Sequence, residues 1–122
     1  MEPLVNGDLR ITPDLASNDP VLKVVWQGKS NDRDPLKFLS PYFAVLLDVA
    51  AKQGHRIEMH FEELAHFNSS TITALIQLIQ DARARGVKLA LMFDGRLKWQ
   101  KLSFDALRVL TRGDGMLELR SI

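Results

Sequence analysis

The sequence contains no cysteine. Disulfides, thiolate nucleophiles and cysteine-ligated metals are thereby excluded. A cysteine-free chain also fits a reducing compartment. Glycine and proline are sparse, seven and five among 122 residues, which excludes collagen-like and Gly/Pro-rich low-complexity sequence. Neither sign of charge dominates: 16 Lys and Arg face 15 Asp and Glu, for a formal net charge of +1. No global field therefore draws the chain to nucleic acid or to an anionic membrane surface. Residues 1–14 lack a basic stretch followed by an apolar run, so no signal peptide is expected. The longest dense apolar stretch, 42–51, is broken by Asp48 and is too short to span a bilayer. The expected location is the cytoplasm. No internal repeat is visible.

What is present is ordinary for a globular protein: 46% hydrophobic and 25% charged residues. The length favours one domain, 1–122, able to bury a core without staples. Residues 1–20 carry Pro3, Gly7, Pro13 and Pro20 among polar residues and read as a loosely ordered extension. Within it, residues 9–12 form at most a short edge strand. Residues 21–27 (VLKVVWQ) are β-branched and aromatic and read as a strand, followed by a polar loop at 28–34. Asp34 and Pro35 then suit a helix start. Pro41 allows either a kink or a second start capped by Ser40. Phe43, Leu46, Leu47 and Ala50 share the inner face, and Gly54 ends the helix.

Residues 56–62 alternate strictly, with Ile57, Met59 and Phe61 on one side and Arg56, Glu58, His60 and Glu62 on the other. Residues 63–67 read as a connection. The helix at 70–85 places Ile72, Leu75, Ile76, Ile79 and Ala82 on one stripe, and Gly86 stops it. A strand at 87–93 and a helix at about 97–111 follow, the latter with Trp99, Leu102, Ala106, Leu107 and Leu110 as inward candidates. A turn at 113–115 and a strand at 116–120 close the chain. Strands alternating with helices imply an α/β fold built from βαβ units. Parallel strands covered on both faces would read as continuous apolar runs. The charged side of 56–62 instead predicts a mixed sheet of four or five strands with helices mainly on one face.

The chemistry-bearing segment is Phe67-Asn68-Ser69-Ser70-Thr71-Ile72, between the alternating strand and the long helix. A helix start offers unpaired backbone N–H groups and the positive end of the helix dipole, where a phosphate is well accommodated. The same residues are preferred N-caps with no further role required. His55, His60 and His66 lie near Glu58, Glu62 and Glu63, but their spacing is not that of a helical zinc pair. They read as a solvated strand face, with no metal expected. Ser69, His66 and Asp94 would make a hydrolytic triad only without the usual Gly-x-Ser-x-Gly turn. Arg83, Arg85, Lys88, Arg96, Lys98 and Lys101 read as solvated faces rather than a nucleic-acid surface.

The run FEELAHFNSSTITALIQLIQDARARGVKLALMF resembles the central part of STAS domains, the anti-sigma factor antagonist family. There a strand leads through an Asp-Ser-Ser-Gly-like turn into a Leu/Ile-rich helix, then Arg/Gly and an apolar strand. Asn68 stands where Asp is usual in that motif, and Thr71 where Gly is usual. The turn is more similar to the Asn-Thr-Ser-Ser-Ile of SiaC-type partner-switch phosphoproteins. Residues 35–47 (PLKFLSPYFAVLL) resemble the aromatic first helix of that branch. The resemblance spans roughly two thirds of the chain, and its motif is short. It implies a STAS (SpoIIAA-like) fold and a regulatory protein rather than an enzyme. It further implies phosphorylation at Ser69, with Ser70 and Thr71 as second choices and Asn68 supporting the site. The implied partners are a protein such as a serine kinase or anti-sigma factor, and a phosphatase. No cofactor, nucleic acid or membrane insertion is implied. The rival reading is a STAS-like scaffold that is never phosphorylated and binds a small ligand or lipid against Trp26, Tyr42, Trp99 and Phe104. Placing those aromatics in the core is the simpler expectation.

Overall fold

Strands and helices alternate through the computed structural model, which describes residues 1–15 and 20–122. The first three strands are β1 (Leu4–Asn6), β2 (Leu9–Leu15) and β3 (Val21–Ser30). Helix α1 (Leu36–Gln53) leads to β4 (Arg56–His60), and a short break separates β4 from β5 (Leu64–Phe67). Helix α2 (Ser69–Ala84) leads to β6 (Leu89–Phe93). Helix α3 (Lys98–Ala106), extended by a 3-10 turn (Leu107–Leu110), leads to β7 (Leu117–Ser121).

The strands make one seven-stranded mixed sheet in the order β1-β2-β3-β4-β6-β7, with β5 also on β3. β1, β2 and β3 are antiparallel neighbours. The pairs β3–β4, β4–β6 and β6–β7 are parallel, each crossover carrying one helix. The sheet is larger than the expected four or five strands for two reasons. Residues 4–6 form a strand of their own, and the strand expected at 9–12 runs on to Leu15, with Leu9 and Ile11 buried in the core rather than in a loose extension. Pro13 sits in β2 beyond the stretch that pairs β1, where no second ladder needs its missing N–H. Residues 16–19 of the proposed extension lie outside the described residues. The second reason is β5, expected as a connection. Its ends Leu64 and Phe67 are buried while Ala65 and His66 are exposed, so it shows no alternation to read. It pairs with the far end of β3, where the register shifts between Gly28 and Lys29. Gly28 has φ +86, and a Cβ there would lie 1.8 Å from the Asp8 carbonyl oxygen, so only glycine fits that bulge.

One face of the sheet carries the core. Leu22, Val24, Trp26, Ile57, Met59, Leu89, Leu91 and Phe93 pack there against all three helices. Trp26, Phe61, Phe67, Phe93 and Phe104 form a chain of ring contacts through its centre. The opposite face bears Lys23, Glu58, His60, Glu118 and Arg120 in adjacent register, as the alternation in β4 predicted.

Helix α1 runs unbroken through Pro41, an exposed position where the Lys37 carbonyl released by the missing N–H can meet water. Pro35, not Asp34, occupies the N-cap position, and no side chain caps it. In α2 the buried stripe is rotated from the expected one: Thr71, Ala74, Leu75, Leu78, Ile79 and Ala82 face inward, while Ile72 and Ile76 lie half-buried at its edge. α3 differs most. Leu102 and Ala106 face solvent, and Gln100 is fully buried. The Gln100 Nε2 donates to the Phe61 carbonyl at 2.6 Å and the Leu64 carbonyl at 3.2 Å, while its Oε1 accepts from the Asp94 N–H at 2.8 Å. This one amide satisfies the β4–β5 break and the end of β6, so a polar side chain belongs at the centre of that contact.

α1 and α2 end alike. Gly54 and Gly86 take φ of 69° and 70°, and the following N–H groups of His55 and Val87 donate back to the Ala50 and Ala82 carbonyls at 2.9 Å. Both are Schellman closures that consume last-turn carbonyls.

Candidate functional site at the head of helix α2

The end of β5 is fixed by Phe67, which is buried and makes edge contacts with Trp99 at 5.1 Å and Phe104 at 5.7 Å. Asn68 follows in extended conformation, φ −93° and ψ 174°, and is the N-cap of α2. Its Oδ1 accepts from the Thr71 N–H at 2.9 Å and the Thr71 hydroxyl at 2.8 Å. Its Nδ2 donates to the Asp32 carbonyl at 2.7 Å, and its backbone N–H donates to the Ser30 carbonyl at 3.0 Å. The hydroxyls of Ser30 and Thr71 lie 2.7 Å apart, both buried. A hydroxyl has one proton to give. With Thr71 donating to Asn68, Ser30 donates to Thr71, and the pair is satisfied within the protein.

This network joins three segments: the end of β3, the loop after it, and the start of α2. It holds the helix head rigidly and leaves Ser69 outside. Ser69 is the first residue of α2 and is exposed; its carbonyl accepts from the Thr73 hydroxyl at 3.3 Å. Ser70 is half-buried. Thr71 is fully buried with its hydroxyl occupied, so it is not open to a modifying enzyme. Of the three hydroxyl residues, Ser69 alone is exposed. The N–H groups of Ser69 and Ser70 fall in the first helical turn, where no intrahelical acceptor exists. The loop after β3 reaches this head through the Asp32 carbonyl, which the neighbouring Asn68 holds. Ser30 and Asp32 were not legible as part of this site. Ser30 lies 41 residues from Thr71 and carries no local signal.

The other candidates disperse. His60 lies between Glu58 at 3.3 Å and Glu62 at 3.2 Å on the open sheet face. His66 neighbours the Trp99 ring, and among the described residues no group of three or more His, Asp or Glu side chains could hold a metal. Asp94 pairs with Arg96, whose hydrogen bonds hold its carboxyl below the usual range, and among the described residues no hydrogen bond links Ser69, His66 and Asp94. Four of the six cations in the basic run are matched locally: Arg83 with Asp114, Arg85 with Asp48, Arg96 with Asp94 and Lys101 with Asp105. Trp26 and Phe104 are fully buried in the aromatic core, and the Tyr42 hydroxyl donates to the Glu2 carbonyl at 2.9 Å. Trp26 and Phe104 are thus core residues, while Tyr42 and Trp99 are half-buried and pack against the core. Among the described residues no helix is long and apolar enough to cross a membrane.

No protein-family model matches the chain, and no curated protein matches it. Among solved structures, it is similar to a chain in the crystal structure of the diguanylate cyclase SiaD in complex with its activator SiaC from Pseudomonas aeruginosa. The TM-score is 0.63 at 14% identity, and the match covers 98% of each chain. At that identity the likeness is one of fold. It extends over essentially the whole of both chains.

Proposed function

We propose that the chain is a STAS-like, SpoIIAA-like regulatory protein of the partner-switch kind, not an enzyme. It binds a protein partner through the surface around Ser69 and the exposed side of α2, and phosphorylation of Ser69 controls that binding. The observation that carries this reading is the contrast at the helix head: Thr71 and Asn68 are locked into the fold, while Ser69 stands exposed at the first position of α2. The likeness to a chain of a cyclase–activator complex supports a protein-binding role. The matched chain has the length of this one, as suits the activator of that pair. A serine kinase would add the phosphate and a phosphatase remove it.

Phosphate at Ser69 adds nearly two negative charges at a rigid platform. The free N–H groups of the helix head receive it without refolding the domain. A partner that packs over that position then meets charge and desolvation cost, and about 3 kcal/mol would weaken it roughly a hundredfold. Phosphosite mapping of the protein from its native cell, with and without phosphatase, tests the reading. One phosphoryl group on Ser69 supports it; phosphate confined to other residues overturns it.

A further inference from the structure

We infer that the opposite pole of the molecule carries a second site, a cleft that binds a small phosphate-bearing molecule of about mononucleotide size. The cleft lies where the C-terminal ends of α1 and α2 meet the starts of β4 and β6, and its volume is about 420 Å³. Pockets of this size hold small organic ligands. Among the described residues, Arg56, Arg85 and Lys88 line it together with His55, and no carboxylate does.

Helix C-termini ordinarily repel anions. Here both ends are closed by Schellman bonds, so the Ala50 and Ala82 carbonyls already accept from His55 and Val87. One last-turn carbonyl at each end is thereby already bonded, and the repulsion that remains is opposed by the three cations of the cleft. Arg85 is shared with exposed Asp48 at 2.7 Å, and Arg56 lies 3.5 Å from Glu58, a long contact. Among the described residues Lys88 has no ion-pair partner and is exposed. Such a set of two guanidinium groups and one ammonium suits phosphate oxygens.

His55 adds a directional donor. Its Nδ1 is buried with no hydrogen-bond partner among the described residues. An orphaned buried N–H is rarer than an orphaned acceptor, which favours the tautomer with the proton on Nε2. The half-exposed ring then offers Nε2–H. Pro20 and Val87 supply apolar wall for the uncharged part of the ligand. The 16 residues of α2 separate this cleft from Ser69 by about 24 Å, so it is a site in its own right.

The test is NMR titration of the full chain with AMP and with inorganic phosphate. Adenosine, citrate and sodium chloride at matched ionic strength serve as controls. Saturable shifts of the Gly86, Val87 and Lys88 amides with AMP and phosphate are expected, and none with adenosine. Lys88→Glu and Arg85→Gln, both at exposed positions, should each weaken AMP about tenfold or more while keeping a dispersed spectrum. The inference is overturned if sodium chloride reproduces the shifts, if adenosine or citrate binds as well as AMP, if the shifts lie elsewhere, or if both folded variants bind like the wild type.

Discussion

Asn68 uses one amide to hold two segments together. Its oxygen caps α2 through Thr71, and its nitrogen reaches the Asp32 carbonyl. An aspartate would cap equally well but would place a second acceptor against that carbonyl. This is a physical reason for Asn where the resembled motif has Asp. Asn68→Ala should therefore cost about 1–2 kcal/mol through the lost cap. Asn68→Asp should keep the cap yet still lose stability through the broken tether. Urea unfolding of both variants checks this; an Asn68→Asp protein as stable as the wild type would show that the Asp32 contact contributes nothing. The cap itself was legible, because Asn before an apolar stripe is a strong start signal. The tether was not, since Ser30 and Asp32 are brought to it only by the pairing of β3 with β5.

At the scale of elements, the long periodic segments were legible and the short or polar ones were not. α1 and α2 fall within a residue or so of their expected bounds. β1 and β5 are too short to show a period, and of β2 only residues 9–12 read as a strand because Pro13 hides the rest. Hydrophobicity guides burial only in part along α3 and its 3-10 turn: Leu107 is buried and Trp99 and Leu110 pack against the core as expected, while Leu102 and Ala106 are not inward. Gln100 is buried for its hydrogen bonds, and Leu102 is exposed. Gln100→Leu keeps the side chain near its size but strands the Asp94 N–H and the Phe61 and Leu64 carbonyls. The expected loss is about 3 kcal/mol, read as a lower denaturant midpoint with an unchanged slope. A neutral or stabilising Gln100→Leu would contradict the role assigned to the amide.

For the molecule as a whole, the one-faced sheet follows from the charged side of β4, and the helices gather where the apolar residues point. Three surface aspartates are expected to make a small contribution to its acid stability. Asp94, Asp105 and Asp114 are held below their ordinary pKa by hydrogen bonds from Arg96, from Lys101 and Arg108, and from Arg83. A depressed carboxylate pKa means the unfolded chain takes up protons first as pH falls. Their contribution is therefore present above the unfolded carboxylate pKa of about 4 and is lost as pH drops through the lower folded values. Arg83→Gln should make the fall in Tm between neutral pH and about pH 2 shallower, by removing the share due to Asp114. An unchanged acid limb would show that this pair does not contribute.

The central claim is that Ser69 switches a protein partner without altering the fold. Its most direct test is quantitative partner capture from the native cell by wild-type, Ser69→Ala and stoichiometrically Ser69-phosphorylated protein, with thermal unfolding of each alongside. The expected result is a partner held by the wild-type and Ser69→Ala forms and weakened roughly a hundredfold by phosphate, with all three folded. Equal capture by all three folded forms would contradict the claim.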